Sequence, residues 1–92
     1  MSERCPKVGT EVHDLVVELI YDAGITRPRV RPVRGSSVPT WMRVEFPRKL
    51  REDRQEGARF KIDATVGQKH HADGSEKGQP YLRAHPASII VL

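Results

Sequence analysis

The segment Pro39-Thr-Trp-Met-Arg-Val-Glu-Phe-Pro47 alternates strictly between apolar and polar side chains, as a half-buried strand does. The inward set of this strand comprises Met42, Val44 and Phe46. The outward set comprises Trp41, Arg43 and Glu45. Pro47 ends the strand because it lacks an N–H, and proline is tolerated in the first turn of a helix. The segment therefore predicts a strand that leads into a short basic helix at residues 48–54.

The second half of the chain shows two further strand patterns. Residues 58–66 alternate as clearly as the first strand, with an inward set of Phe60, Ile62, Ala64 and Val66. Asp73-Gly74 is typical of a hairpin turn and predicts an antiparallel return strand, whose inward residues are Leu82 and Ala84. After the interruption at Pro86, residues 88–92 predict a buried terminal strand.

Residues 10–22 fit two structures. Their apolar residues recur with helical spacing: Val12, Leu15, Val16, Leu19, Ile20 and Ala23. The β-branched residues favour a strand, but a strand would set acidic residues beside Val16 and Ile20. The helix is favoured, with Thr10 as its cap and Gly24 at its end. The sequence thus predicts an α+β fold: an N-terminal amphipathic helix followed by a mostly antiparallel, strongly curved sheet of four or five strands.

The alternative fold depends on the same residues. If residues 11–22 form a strand, the order becomes three strands, a short helix and two strands. That is the order of an OB-like small β-barrel, in which nucleic acids bind on strands 2 and 3 and on the loops between strands 1 and 2 and between strands 4 and 5.

Length and composition predict a single small cytoplasmic domain. Residues 10–92 would form the domain, and residues 1–9, which show no periodicity, a flexible leader. Cys5 is the only cysteine, so no internal disulfide can form and a reducing compartment is favoured. The sequence has neither a signal-peptide core nor an apolar run long enough to span a membrane.

The positive charge is concentrated in the middle of the chain. Residues 27–54 hold nine Lys or Arg and three Asp or Glu, against a net charge of +4 for the whole sequence. Pro28 and Pro32 favour an extended segment, which would set Arg27, Arg29 and Arg31 in one ridge. Arginine suits phosphate recognition because its planar guanidinium forms paired hydrogen bonds.

Cations and aromatic rings on a solvated sheet face are typical of proteins that bind single-stranded nucleic acid. We therefore expect a small, basic, non-enzymatic nucleic-acid-binding protein that contacts phosphates with its Arg-rich segment and stacks bases on an aromatic and basic sheet face. The sequence does not decide between DNA and RNA. The candidate contact residues are Arg27, Arg29, Arg31, Arg34, Trp41, Arg43, Arg48, Lys49, Arg51, Lys61, Lys69, His70, Tyr81 and Arg83.

The stretch Arg43-Val-Glu-Phe-Pro-Arg-Lys-Leu-Arg-Glu52 resembles the Val-x-Ile-Pro-Lys-x-[Leu/Ile]-Arg segment of AbrB-type swapped-hairpin DNA-binding proteins. Gly57-Ala-Arg-Phe60 stands near the place of that family's Gly-Asp turn, without the Asp. The resemblance implies a homodimer that contacts DNA through Arg43, Arg48, Lys49 and Arg51.

Two other functions remain open. A small toxin-type ribonuclease needs a general base beside cations, and the residue types for it are present in His70, His85, Glu45, Arg83 and Lys61. A protein–protein interaction module or small regulatory dimer would receive a basic partner on the acidic residues Glu11, Asp14, Glu18 and Asp22. The sequence contains no motif for catalysis or for a cofactor. It predicts no metal site, because the cysteine and the histidines lack the spacing of metal ligands.

Overall fold

The computed structural model describes residues 5–21, 28–52 and 54–92. Within these residues six strands form one sheet, accompanied by a single short α-helix and a 3-10 turn at Pro86–Ser88. In chain order the elements are β1 (Glu11–Tyr21), β2 (Pro28–Pro32), β3 (Val44–Glu45), α1 (Arg48–Glu52), β4 (Arg59–His70), β5 (Glu76–Ala84) and β6 (Ile90–Val91). The predicted short helix after Pro47 is thereby confirmed.

The strands lie in the order β2-β1-β4-β5-β3, and β6 pairs with the first residues of β4. All pairings are antiparallel except that of β3 with β5, which is parallel. The predicted hairpin joins β4 to β5, and Gly74 in its turn has a φ of 90°. Asp73 supports this turn by accepting hydrogen bonds from both the amide and the hydroxyl of Ser75.

The predicted N-terminal helix, and with it the α+β class, is wrong: these residues form β1, and the described chain is mostly β. The pairing of β1 with β4 shifts register between Val12 and Leu15, and Asp14 within this bulge has a φ of 53°. A bulge inserts one residue into a strand. The buried residues on either side of it, Val12 and Leu15, are therefore three apart instead of two, which imitates helical spacing. Val17 and Leu19 then continue the burial with the period of a strand.

The described elements run as three strands, a short helix and three strands, which is one strand more than the alternative gave, and the sheet does not close into a barrel. No ladder joins β2 to β3 among the described residues. Val33 donates its backbone N–H to the carbonyl of Val16 over 3.1 Å, which extends the β1–β2 ladder by one residue. Every second residue of an edge strand bonds to its neighbour, so within β2 the residues that bond to β1 are Arg29 and Arg31. The backbone nitrogens of Pro28 and Pro32 consequently face the free edge of β2. Proline has no N–H to donate, so this edge is poorly suited to a further ladder.

The core confirms most of the predicted inward faces. All nine residues assigned to the inside of the three later strand patterns are buried: Met42, Val44, Phe46, Phe60, Ile62, Ala64, Val66, Leu82 and Ala84. The rings of Phe46 and Phe60 pack with centroids 4.8 Å apart. The predicted terminal strand is present as β6, but its predicted burial is wrong, because Ile90, Val91 and Leu92 are each about half exposed or more.

The described residues that precede β1 are attached to β4. The amide of Gly9 donates to the carbonyl of Val66 over 2.7 Å, and the amide of Val66 donates to the carbonyl of Thr10 over 2.9 Å. Cys5 is half-buried against the core, and burial raises the pKa of its thiol. Among the described residues, no helix has the length and apolar character needed to cross a bilayer.

Candidate nucleic-acid interface

A groove of about 500 Å³ lies where β2 and β3 approach each other without pairing. We call it the seam groove. Its charged and aromatic lining comes from β2, from the segment that leads into β3, and from α1: Arg29, Arg31, Trp41, Arg43 and Arg51. Among the described residues, no carboxylate lines it. The open seam of the sheet thus holds four arginines beside the single tryptophan of the chain.

The arginines of β2 reach the groove because the strand alternates. Pro28, Val30 and Pro32 are buried, so the residues between them, Arg29 and Arg31, turn outward. Arg29 is half-buried, while Arg31 is exposed and donates from Nε to Glu18 on β1 over 3.1 Å. The expected ridge of arginines is therefore present on β2 for these two residues. Arg27, its third predicted member, lies outside the described residues.

Trp41 is held on the outside by its neighbours. Pro39 and Met42 are buried, and the amide of Met42 donates to the carbonyl of Pro39 over 3.3 Å. This turn leaves the Trp41 side chain 40% exposed at the groove. The prediction that Trp41 and Arg43 face solvent, opposite Met42, is confirmed by their exposure.

Arg51 closes one side of the seam groove from α1. Its Nη1 donates to the carbonyl of Pro28 over 3.4 Å, which links the helix to β2. Its Nε is buried and has no hydrogen-bond partner among the described residues. A buried donor without an acceptor is costly.

A second groove of about 620 Å³ adjoins the first, and we call it the hairpin groove because the β4–β5 hairpin forms its far wall. Its charged and aromatic lining residues are Trp41, Arg43, Glu45, Lys69, Lys77 and Tyr81. Trp41 and Arg43 line both grooves. The two grooves therefore form one continuous surface, from Arg31 on β2 to Lys77 on β5.

Tyr81 has a fixed position in the hairpin groove. It pairs with Gly67 across the β4–β5 ladder, and a Cβ on Gly67 would lie only 3.0 Å from the ring. The glycine therefore leaves room for the ring to lie close against β4. The ammonium of Lys69 lies 5.3 Å from the centre of this ring and 3.8 Å from a carboxylate oxygen of Glu45.

Six of the predicted contact residues lie outside the two grooves: Arg34, Arg48, Lys49, Lys61, His70 and Arg83. Arg48 is paired with Glu52 one turn further along α1, with 2.5 Å between Nε and the carboxylate oxygen. The resemblance to swapped-hairpin proteins implied contacts from Arg43, Arg48, Lys49 and Arg51. The grooves include Arg43 and Arg51 but neither Arg48 nor Lys49.

The sequence did not identify Lys77 or Gln79 as contact residues, although both line the hairpin groove. They lie in the polar stretch that contains the hairpin turn, where no hydrophobic alternation shows which side chains share a face. The pairing of Lys77 with Lys69 across the β4–β5 ladder places two cations together. The one available indication in the sequence was that Lys77 lies close to the predicted Asp73-Gly74 turn, which would fold it back towards Lys69.

A second cluster of polar side chains lies on β1, β4 and β5, away from the lining of the grooves. Thr65 is hydrogen-bonded to Glu11, and its hydroxyl lies 2.8 Å from Nε2 of His85. Glu11 also lies 3.3 Å from that nitrogen. The hydrogen bond from Thr65, and then the nearby His85, hold the pKa of Glu11 below its usual range.

The same cluster continues to the bulge of β1. Asp63 accepts a hydrogen bond from the amide of Asp14 over 3.1 Å and lies 3.5 Å from Nδ1 of His13. The backbone hydrogen bond from Asp14 is the main cause of a lowered pKa at Asp63, and His13 lowers it further. We call these residues, together with Glu11, Thr65 and His85, the carboxylate network.

The residues considered for a ribonuclease are divided between different parts of the sheet. Glu45 and Arg83 are neighbours in the β3–β5 ladder, whereas His85 belongs to the carboxylate network. Within residues 5–21, 28–52 and 54–92, no three His, Cys, Asp or Glu side chains are grouped in a way that could hold a metal ion.

Comparisons with protein families, with curated proteins and with solved structures find no match to this chain. The resemblance of residues 43–52 to swapped-hairpin DNA-binding proteins gains no support from them. The geometry of the two grooves is therefore the basis for assigning a function.

Proposed function

We propose that the protein binds single-stranded nucleic acid along the seam and hairpin grooves, without catalysing a reaction on it. The phosphates would contact the arginines of the seam groove and the lysines of the hairpin groove. Unpaired bases would stack on Trp41 and on Tyr81. A cytoplasmic location is part of this proposal, supported by the single cysteine of the sequence.

One observation carries the proposal: Trp41 and Arg43 line both grooves. This arrangement connects the arginines of β2 and α1 to the lysines of the hairpin across an exposed indole ring. A single strand of nucleic acid carries a phosphate and a base in every nucleotide. A surface that binds it therefore needs a row of cations for the phosphates and aromatic rings beside them for the bases.

The charges along the grooves support an anionic ligand. Counting only residues that the structure describes, the seam groove has four arginines and no carboxylate, and the hairpin groove adds Lys69 and Lys77 against one carboxylate, Glu45. Phosphate contacts release counterions, so binding must weaken as salt is added, with a slope of about −0.7 per contact for single strands.

The rings favour a single strand over a duplex. A duplex stacks its bases on one another, so its bases cannot lie on an external ring without being unpaired. Stacking of one base on an aromatic side chain contributes about 1–3 kcal/mol, and it tolerates any base because every base has a π face. We therefore expect weak sequence selectivity and a clear preference for unpaired strands.

The test is a titration of labelled single-stranded and double-stranded oligonucleotides at about 50 and 200 mM salt, a range over which phosphate contacts change affinity strongly. Wild-type protein should bind the single strand more tightly, and both affinities should fall as salt is added. Trp41→Ala should weaken single-strand binding about tenfold while changing duplex binding much less.

Tyr21→Ala is the matched control, because Tyr21 is 38% exposed, much as Trp41 is, but lines neither groove. It should leave single-strand affinity within about twofold of wild type. The proposal fails if the wild-type protein binds neither oligonucleotide at the lower salt. It also fails if a folded Trp41→Ala variant binds the single strand as tightly as the Tyr21→Ala control.

A further inference from the structure

One cation in each groove is already paired with a carboxylate of the protein. In the seam groove, Nε of Arg31 donates to Glu18 over 3.1 Å, and the Glu18 side chain is only 19% exposed. The two residues are direct cross-strand neighbours of β1 and β2, so the sheet itself brings them together. A phosphate that binds Arg31 must therefore compete with Glu18.

In the hairpin groove the paired cation also covers an aromatic ring. Lys69 lies 3.8 Å from a carboxylate oxygen of Glu45 and 5.3 Å from the centre of the Tyr81 ring. An ammonium over a ring face is attracted by the π electrons. It also occupies the face on which a base would stack, so a base can reach Tyr81 only after Lys69 has moved.

We propose that Glu18 and Glu45 are internal competitors of the ligand that set the affinity of the two grooves. In the free protein Glu18 holds Arg31, and Glu45 holds Lys69 over Tyr81. A bound strand displaces both carboxylates, draws both cations to its phosphates and opens the Tyr81 ring to a base. This inference rests on the proposed function and identifies residues that limit binding.

The two competitors differ in strength. Glu18 is mostly buried and accepts a direct hydrogen bond, whereas the Glu45 side chain is 55% exposed and its ion pair is longer. Exposed ion pairs contribute little, because water screens them and ordering the side chains costs entropy. Removing the charge of Glu18 should therefore increase affinity more than removing the charge of Glu45.

The Arg48–Glu52 pair on α1 provides a matched control. It has the same chemistry as Arg31–Glu18, with 2.5 Å between Nε and the carboxylate oxygen. Neither of its residues lines a groove. Glu52→Gln therefore releases an arginine and raises the net charge by the same amount, but away from the proposed path of the ligand.

The experiment compares wild type with Glu18→Gln, Glu45→Gln and Glu52→Gln. Each protein is titrated into a labelled oligothymidine at about 50 mM salt, where electrostatic contacts are strong. We expect Glu18→Gln to bind about three- to tenfold more tightly than wild type and Glu45→Gln about two- to threefold. Glu52→Gln should stay within about twofold. Thermal unfolding of each variant confirms that the fold is retained.

The outcomes separate this inference from the proposed function. If wild type binds but Glu18→Gln and Glu45→Gln bind no more tightly than Glu52→Gln, the competition is overturned and the proposed function stands. An equal gain in all three variants is an effect of net charge and also overturns it. If wild type and every variant fail to bind, both proposals are wrong.

Discussion

The grooves and the carboxylate network are built from outward-facing side chains of the same sheet, yet their charges are arranged in opposite ways. In the network, each carboxylate has partners within the protein: Thr65 and His85 for Glu11, and the Asp14 amide and His13 for Asp63. In the seam groove, no acidic residue is found among the described residues of the lining, and Glu18 reaches one of its four arginines, Arg31, from beside the groove. The charges of the network are therefore matched within a cluster, whereas cations predominate along the groove, which is the difference that the proposed anionic ligand requires.

The largest effect should come from the residue shared by both grooves. Arg43→Ala removes a cation at their junction and should weaken single-strand binding about tenfold or more, because hydrogen bonds to charged groups contribute about 1.5–3 kcal/mol. Arg48→Ala, in which the lost arginine is paired with Glu52 outside the grooves, should cost less than about twofold. Titration of a labelled single strand compares the two variants. Equal losses would show that net charge, and not groove position, determines binding.

Substitutions in the carboxylate network should change the free energy of unfolding and leave the affinity for nucleic acid unchanged. Asp14 has a φ of 53° in the bulge of β1, a conformation that costs most L-residues about 1–2 kcal/mol and β-branched residues more. Asp14→Val should therefore lower the free energy of unfolding by about 1–2 kcal/mol, whereas Asp14→Gly should be close to neutral. Urea unfolding measures both values. A stable Asp14→Val protein would contradict the bulge geometry.

Acid should weaken the fold through the same network. Glu11 and Asp63 have lowered pKa values in the folded protein because of hydrogen bonds from Thr65 and from the Asp14 amide. Their stabilising contribution is complete above the unfolded pKa, near pH 4, and is lost as the pH falls through the lower folded values. Unfolding midpoints should drop as the pH falls below about 4. Glu11→Gln and Asp63→Asn should each flatten this drop.

The smallest effect should come from the glycine beneath Tyr81. A Cβ at Gly67 would lie 3.0 Å from the Tyr81 ring, so Gly67→Ala should push the ring a few tenths of an ångström outward. We expect a two- to threefold loss of single-strand affinity, a fraction of the stacking energy of one base, with no change in salt dependence because no charge is lost. Arg83→Gln is the control, because Arg83 lies on β5 but lines neither groove. This variant should change single-strand affinity less than Gly67→Ala does.

Part of the fold could be predicted because period-two alternation shows which side chains face inward. Residues 59–66 lie within one strand, and their predicted side is buried. Residues 42–46 also bury their predicted side, although only Val44–Glu45 among them form a strand. The first strand could not be recognised because the bulge at Asp14 breaks this period. The exposure of the last residues was also missed, since an apolar run looks the same in a buried strand and in a short exposed one.

The sequence could predict which side chains of the candidate site face outward, but not which of them lie close together in space. Trp41 and Arg43 could be assigned to the outside from alternation alone. Their proximity to Arg31 and Tyr81 depends on long-range pairings, including the parallel ladder of β3 with β5, which local patterns do not contain. The pairing of Glu18 with Arg31 likewise requires the β1–β2 register.

Trp41 is the only tryptophan in the chain, so its fluorescence reports whether a bound strand reaches the place where the two grooves meet. Titration of wild-type protein with unlabelled single-stranded oligonucleotide should quench its emission saturably as a base stacks on the indole, and the apparent affinity should fall as salt is added. Emission that stays constant while a labelled strand binds would place the ligand elsewhere and contradict the account.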